Sequence, residues 1–136
     1  MQRERAGHHA MRPPRRFHIP VPRIRRKPQL TSRIYDPQRD IDLLAETLTA
    51  LINDDPLQLS LSYEQNYRAA YMLVLQGYGD DVHAFFVRVV RRARVVPPAR
   101  RARFLKMAGD IALFVDGAHC PRARLPKISA LAAAVM

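Results

Sequence analysis

The chain has 136 residues, 48% of them hydrophobic, and a formal net charge of +11; this suffices for one modest core and argues against a large catalytic domain. Cys120 is the only cysteine, which excludes an intramolecular disulfide and a Cys-rich zinc site. The charge is uneven: residues 1–34 hold ten Lys/Arg against Glu4, residues 35–81 hold two against nine acids, and residues 82–136 hold eleven against two. A polyanion is therefore attracted to the two ends and repelled by the middle.

Residues 1–34 carry five of the eleven prolines and the basic run Arg23-Ile24-Arg25-Arg26-Lys27. Such a composition buries little, so the expectation is a disordered basic Pro/Arg-rich tail over 1–34 and a helical domain over 35–136. Within the tail, Phe17-His18-Ile19-Pro20-Val21 alternates apolar with polar or proline positions, as an extended peptide with one apolar edge does. A flexible tail with incidental apolar residues fits the same run. No apolar stretch approaches the roughly 18 residues of a membrane span, and no apolar signal region opens the chain. The expected location is intracellular, nucleus and/or cytoplasm, with no membrane partner.

From Asp36 the pattern becomes helical. Asp36-Pro37 reads as an N-cap followed by proline in the first turn, and Ile41, Leu44, Ala45, Leu48, Leu51 and Ile52 recur at helical spacing until Asn53-Asp54-Asp55-Pro56. Ser62-Tyr63-Glu64-Gln65 fits a capping box for a second helix that stops near Gly77. Asp80 and Asp81 open a third, with Val82, Phe85, Phe86, Val89 and Val90 inward and Arg88, Arg91, Arg92 and Arg94 outward. Pro97-Pro98 breaks it. A fourth helix is expected from about Ala99 to Ala118, buried on several sides, with Asp116-Gly117 as its stop; Ile128 to Met136 forms a fifth. The fold class is all-α, a bundle of four to five helices.

The second helix has two faces. At about 100° per residue, Tyr63, Asn66, Ala70, Leu73 and Val74 share one side, which reads as a core stripe, and Glu64, Tyr67, Arg68, Tyr71 and Leu75 share another. Tyrosine and arginine anchor protein interfaces because they join a large contact area to a polar tip, so the second set reads either as a docking stripe or as tyrosines packed with only their hydroxyls wet.

Other chemistry is poorly supported. His8, His9, His18, His83 and His119 have neither cysteine partners nor i,i+4 histidine spacing for a metal, and Cys120 is adjacent to His119 rather than facing it. No glycine-rich phosphate loop, catalytic constellation or cofactor motif is present. Arg23, Arg25, Arg26 and Lys27 fit a nuclear-import or nucleic-acid patch, and the arginines of 88–103 fit either a phosphate-neutralising face or a solvated one.

Leu61-Ser62-Tyr63-Glu64-Gln65-Asn66-Tyr67-Arg68-Ala69-Ala70-Tyr71, followed by Gly79-Asp80-Asp81-Val82, resembles the start of the cullin N-terminal repeat, of the BTB-binding cullin type or of the CDK-associated cullin-domain protein. The resemblance is carried by about 25 residues and runs colinearly over 36–136. Asp110-Ile111-Ala112-Leu113-Phe114-Val115-Asp116 is similar to a run in the repeat's fifth helix, with His119 where that family has a contact tyrosine. The resemblance implies adaptor-binding roles for Leu61, Glu64, Tyr67, Arg68, Tyr71 and His119, and an extension contact by Phe17, Ile19 and Val21. The expected partner is a BTB-domain or Skp1-like ubiquitin-ligase adaptor. The expected protein is a single truncated repeat, non-enzymatic, that modulates or competes with cullin-RING ligase assembly in ubiquitin-dependent degradation. The alternatives are a small basic nucleic-acid-binding protein on a helical scaffold, or a fragment of a longer cullin.

Overall fold

The first helix of the computed structural model, which describes residues 16–28, 35–54 and 63–136, is α1, Pro37–Ile52. Its start follows from the sequence: the Asp36 carboxylate accepts from the Gln38 amide at 3.1 Å, and Pro37 sits where no helical N–H is needed. Ile41, Leu44, Ala45, Leu48 and Ile52 form its buried stripe. The second helix, α2, is Tyr63–Leu75; Ser62 and the capping box lie outside the described residues. It ends in a Schellman closure, with Tyr78 N–H donating to Leu73 O at 2.7 Å and Gly77 N–H to Val74 O at 3.2 Å. The closure requires Gly77 at φ +90°, a region open to glycine.

Helix α3, Gly79–Arg92, is the centre of the bundle. Val82, Phe85, Phe86, Val89 and Val90 are all at most 2% exposed, and Phe85 meets Phe86 edge-on at 5.5 Å. A 3-10 turn, Ala93–Val95, leads to α4, Pro98–Ile111. Arginines seal the helix ends here. Arg100 Nη2 donates to Ile52 O at 2.6 Å, closing α1, and the Arg101 guanidinium binds Ala93 O, Arg94 O and Val96 O at 3.0–3.2 Å.

The fourth helix differs from its expected form. The α geometry stops at Ile111, a five-residue π turn spans Val115–His119, and a short α5, Cys120–Ala123, ends at left-handed Arg124. Asp116 does not stop the helix because its carboxylate is turned inward, 6% exposed. It accepts from Ile128 N–H at 2.6 Å and Ser129 N–H at 3.0 Å, so it caps α6, Ile128–Val135. Burial along α4 is one-sided: Phe104, Leu105, Ala108 and Ile111 face the core while Met107 faces water. His83, buried on α3, holds the same loop through Pro126 O at 2.8 Å. Among the described residues the structure is six α-helices with no strand.

The expected disordered tail is corrected for residues 16–28. This segment is extended, and it runs from the C-terminal ends of α1 and α3 to their N-terminal ends. Phe17 N–H donates to Asn53 Oδ1 at 2.7 Å and Asn53 Nδ2 returns a bond to Phe17 O at 2.8 Å. Arg92 Nε donates to His18 O, Gln38 exchanges bonds with Ile24 N–H and Pro22 O, and Tyr78 Oη accepts from Lys27 N–H, all between 2.8 and 3.0 Å. Ile19, 1% exposed, is part of the core, with Phe17 and Ile24 packed against it. The alternating pattern does describe an extended strap with one apolar edge. The edge is used within the chain.

Candidate docking surface on α2

On α2 the buried arc is Asn66, Ala69, Ala70 and Leu73. Opposite it, Glu64, Arg68 and Leu75 are exposed, and Tyr67 and Tyr71 are half-buried on the flank toward α4. Tyr63 belongs with this flank rather than with the core, because it is 52% exposed. Its ring stacks on Tyr67 at 6.2 Å and its hydroxyl donates to Asp110 O at 2.8 Å. Partial desolvation of that hydroxyl, reinforced by the Asp110 carboxylate, raises its pKa above the ordinary tyrosine value.

One turn further along, Tyr71 tilts onto Phe114 at 4.5 Å between ring centroids. Still further, the His119 imidazole meets Asp80 at 2.8 Å over the start of α3. The contacts Tyr63 to Asp110, Tyr71 to Phe114 and Asp80 to His119 advance together, so α2 and the segment from Asp110 to His119 run side by side in the same direction. Two aromatic pairs, Tyr63 on Tyr67 and Tyr71 on Phe114, follow this seam as a ridge. Tyr67 and Tyr71 are fixed by ring contacts yet keep an open edge, which lowers the entropy that a docking side chain loses on binding.

Of the residues expected to bind an adaptor, Glu64, Tyr67, Arg68 and Tyr71 share one side of α2. Glu64 and Arg68 form no ion pair with each other; Arg68 instead borders the acidic groove between α1 and α2, beside Asp36, Asp40 and Glu46. His119 lies at the far end of the seam, its side chain 16% exposed and engaged with Asp80. A Cβ at Gly79 would collide with its ring, so glycine is needed for this approach. Leu61 lies outside the described residues.

The extension residues divide. Ile19 is inside the core and presents nothing, Phe17 is half-buried, and Val21 is 45% exposed. In the basic run, Arg23 and Arg25 are exposed, Arg26 pairs with Asp36 at 3.6 Å, and the Lys27 ammonium is spent on Gly77 O and on the Tyr78 ring at 5.3 Å from its centroid. Sequence reasoning missed Phe114 as the support of Tyr71 and Asp110 as the acceptor for Tyr63. Its i,i+4 tyrosine spacing was the available signal, since Tyr63, Tyr67 and Tyr71 recur every turn.

Among the described residues no cluster of three or more His, Cys, Asp or Glu side chains is placed to hold a metal ion. Among the same residues no helix is long and apolar enough to cross a membrane. Cys120 is buried with its Sγ 3.6 Å from Pro126 O, and burial, with Asp116 nearby, raises the thiol pKa. These surroundings suit packing and offer no activated nucleophile. Comparison with protein-family models, with curated proteins and with solved structures finds no match to this chain.

Proposed function

We propose that this protein is a non-enzymatic, cullin-like binding module that docks a BTB-domain or Skp1-like adaptor through the outer side of α2 and the adjoining Asp110–His119 segment. The observation that carries this reading is the ridge of Tyr63, Tyr67 and Tyr71, rigidly seated yet open at its edge, with Glu64 and Arg68 exposed beside it. Large, pre-organised, polar-tipped anchors ringed by charge suit a protein partner. The adaptor class rests on the resemblance over Leu61 to Val82. Occupancy of an adaptor by a module of this kind modulates cullin-RING ligase assembly or competes with it.

The test is capture of purified BTB and Skp1-like adaptors by the full chain, compared with Tyr67→Ala and with Glu64→Arg/Arg68→Glu. Truncating a central anchor costs about 2 kcal/mol, roughly 30-fold in affinity. Unchanged capture by both variants, with thermal melts showing intact folds, refutes docking at this face.

A further inference from the structure

The strap and α3 are each basic, and the fold joins them. Arg92 Nε holds His18 O at 2.8 Å. Around this junction Arg16, His18 and Arg92 border an open pocket of about 490 Å³ completed by Phe17 and Val95. Arg88, Arg91 and Arg94 are exposed on the same end of α3 and its 3-10 extension. The acids of α3, Asp80 and Asp81, are confined to its opposite end. Toward that end the strap exposes Arg23 and Arg25. None of Arg23, Arg25, Arg88, Arg91 and Arg94 pairs with an acid among the described residues. Arg100 and Arg101, by contrast, direct their guanidinium N–H groups at backbone carbonyls and are held away from a phosphate.

We infer that the docked strap and the C-terminal end of α3 form one binding track for the phosphate backbone of double-stranded nucleic acid, carried by Arg23, Arg25, Arg88, Arg91 and Arg94 and joined where Arg92 holds His18 O. Five to seven residues of extended chain separate His18 from Arg23 and Arg25, about 17–23 Å at about 3.3 Å per residue. That span matches about five to seven base pairs at about 3.4 Å per step. No exposed aromatic stands among these arginines, so bases are not stacked and a duplex is favoured over a single strand. The exposed apolar groups beside them, Val21 and Val95, are small, which disfavours insertion among acyl chains. Recognition is electrostatic and indifferent to base sequence. The track is separate from the α2 ridge, so the two can hold different partners.

The experiment is fluorescence anisotropy of a 16-base-pair duplex with the full chain between about 50 and 300 mM salt. Five phosphate contacts give a slope of log affinity on log salt near −4.5. Arg88→Gln/Arg91→Gln/Arg94→Gln reduces it by about 2.7, and Arg23→Gln/Arg25→Gln by about 1.8. Tyr67→Ala, on the other surface, leaves it unchanged, so failure here and failure of adaptor docking are separable. Absence of binding at about 50 mM salt overturns the inference. So does a slope insensitive to both sets of substitutions, or binding to phosphatidylserine vesicles without binding to the duplex.

Discussion

Ile19→Ala is the sharpest test of how this fold is held together. Ile19 is 1% exposed and packed in the core, although it lies in a proline-rich basic segment. Removing its outer carbons forfeits their transfer free energy and leaves a cavity, about 3 kcal/mol in total. The strap is also held by bonds from Asn53, Gln38, Tyr78 and Arg92, each worth about 1 kcal/mol net. Those bonds oppose simple release of the strap, so the defect reaches the helices. Urea unfolding followed by helical circular dichroism measures the loss, with Val21→Ala as the exposed control expected within about 0.5 kcal/mol. Trypsin gives a second reading, because the bonds after Arg23 and Arg25 need the strap to lift before cleavage. A loss of about 3 kcal/mol raises the open population roughly 100-fold, and the cleavage rate with it. A variant within about 0.5 kcal/mol of the parent, cleaved at the same rate, would show that the strap is not part of the core.

Three further outcomes are expected. Asp116→Ala strips two charge-assisted bonds from the start of α6 and destabilises by about 3 kcal/mol, with α6 amides losing most hydrogen-exchange protection; uniform protection across α4 and α6 contradicts the capping role. Gly79→Ala displaces the His119 ring and breaks its contact with Asp80, costing about 1–2 kcal/mol alone but little in a His119→Ala background. Additive effects in that double-mutant cycle rule the contact out. Tyr35 donates to Asp40, and burial, then that bond, raise its pKa well above normal. Both states keep the proton below the unfolded value near 10; above it the unfolded chain ionises first, so stability falls as pH rises, by at most about 1.4 kcal/mol per pH unit from this group. Tyr35→Phe should flatten the stability curve between about pH 10 and 11.5, and an unchanged slope there excludes the linkage.

Local chemistry made most of the helices legible. Asp36-Pro37, the closure at Gly77, the Pro97-Pro98 break and the apolar spacing of α1 and α3 act within one or two turns, so their consequences can be read without knowing what packs against them. The tyrosine periodicity of α2 was visible for the same reason. Asp116 reads locally as a stop, whereas its partners, the amides of Ile128 and Ser129, are twelve and thirteen residues away. Helical angle alone puts Tyr63 with the core stripe, whereas the position of α4 sets it on the rim.

The sequence by itself determined an all-α chain with a basic, acidic, basic order of charge and one helix bearing a tyrosine ridge, because periodicity, caps and charge are local properties. Only the tertiary structure decided that residues 16–28 pack onto the helices with Ile19 in the core, that Lys27 and Arg101 donate to backbone carbonyls, and that the start of the strap meets Arg92 at the C-terminal end of α3. Those outcomes depend on contacts between residues 50 or more apart in several cases, such as Lys27 with Tyr78 and His18 with Arg92. Proline content lowers the expectation of a packed segment, but a single isoleucine at the right point of an extended chain can be buried once two parallel helices leave a groove for it.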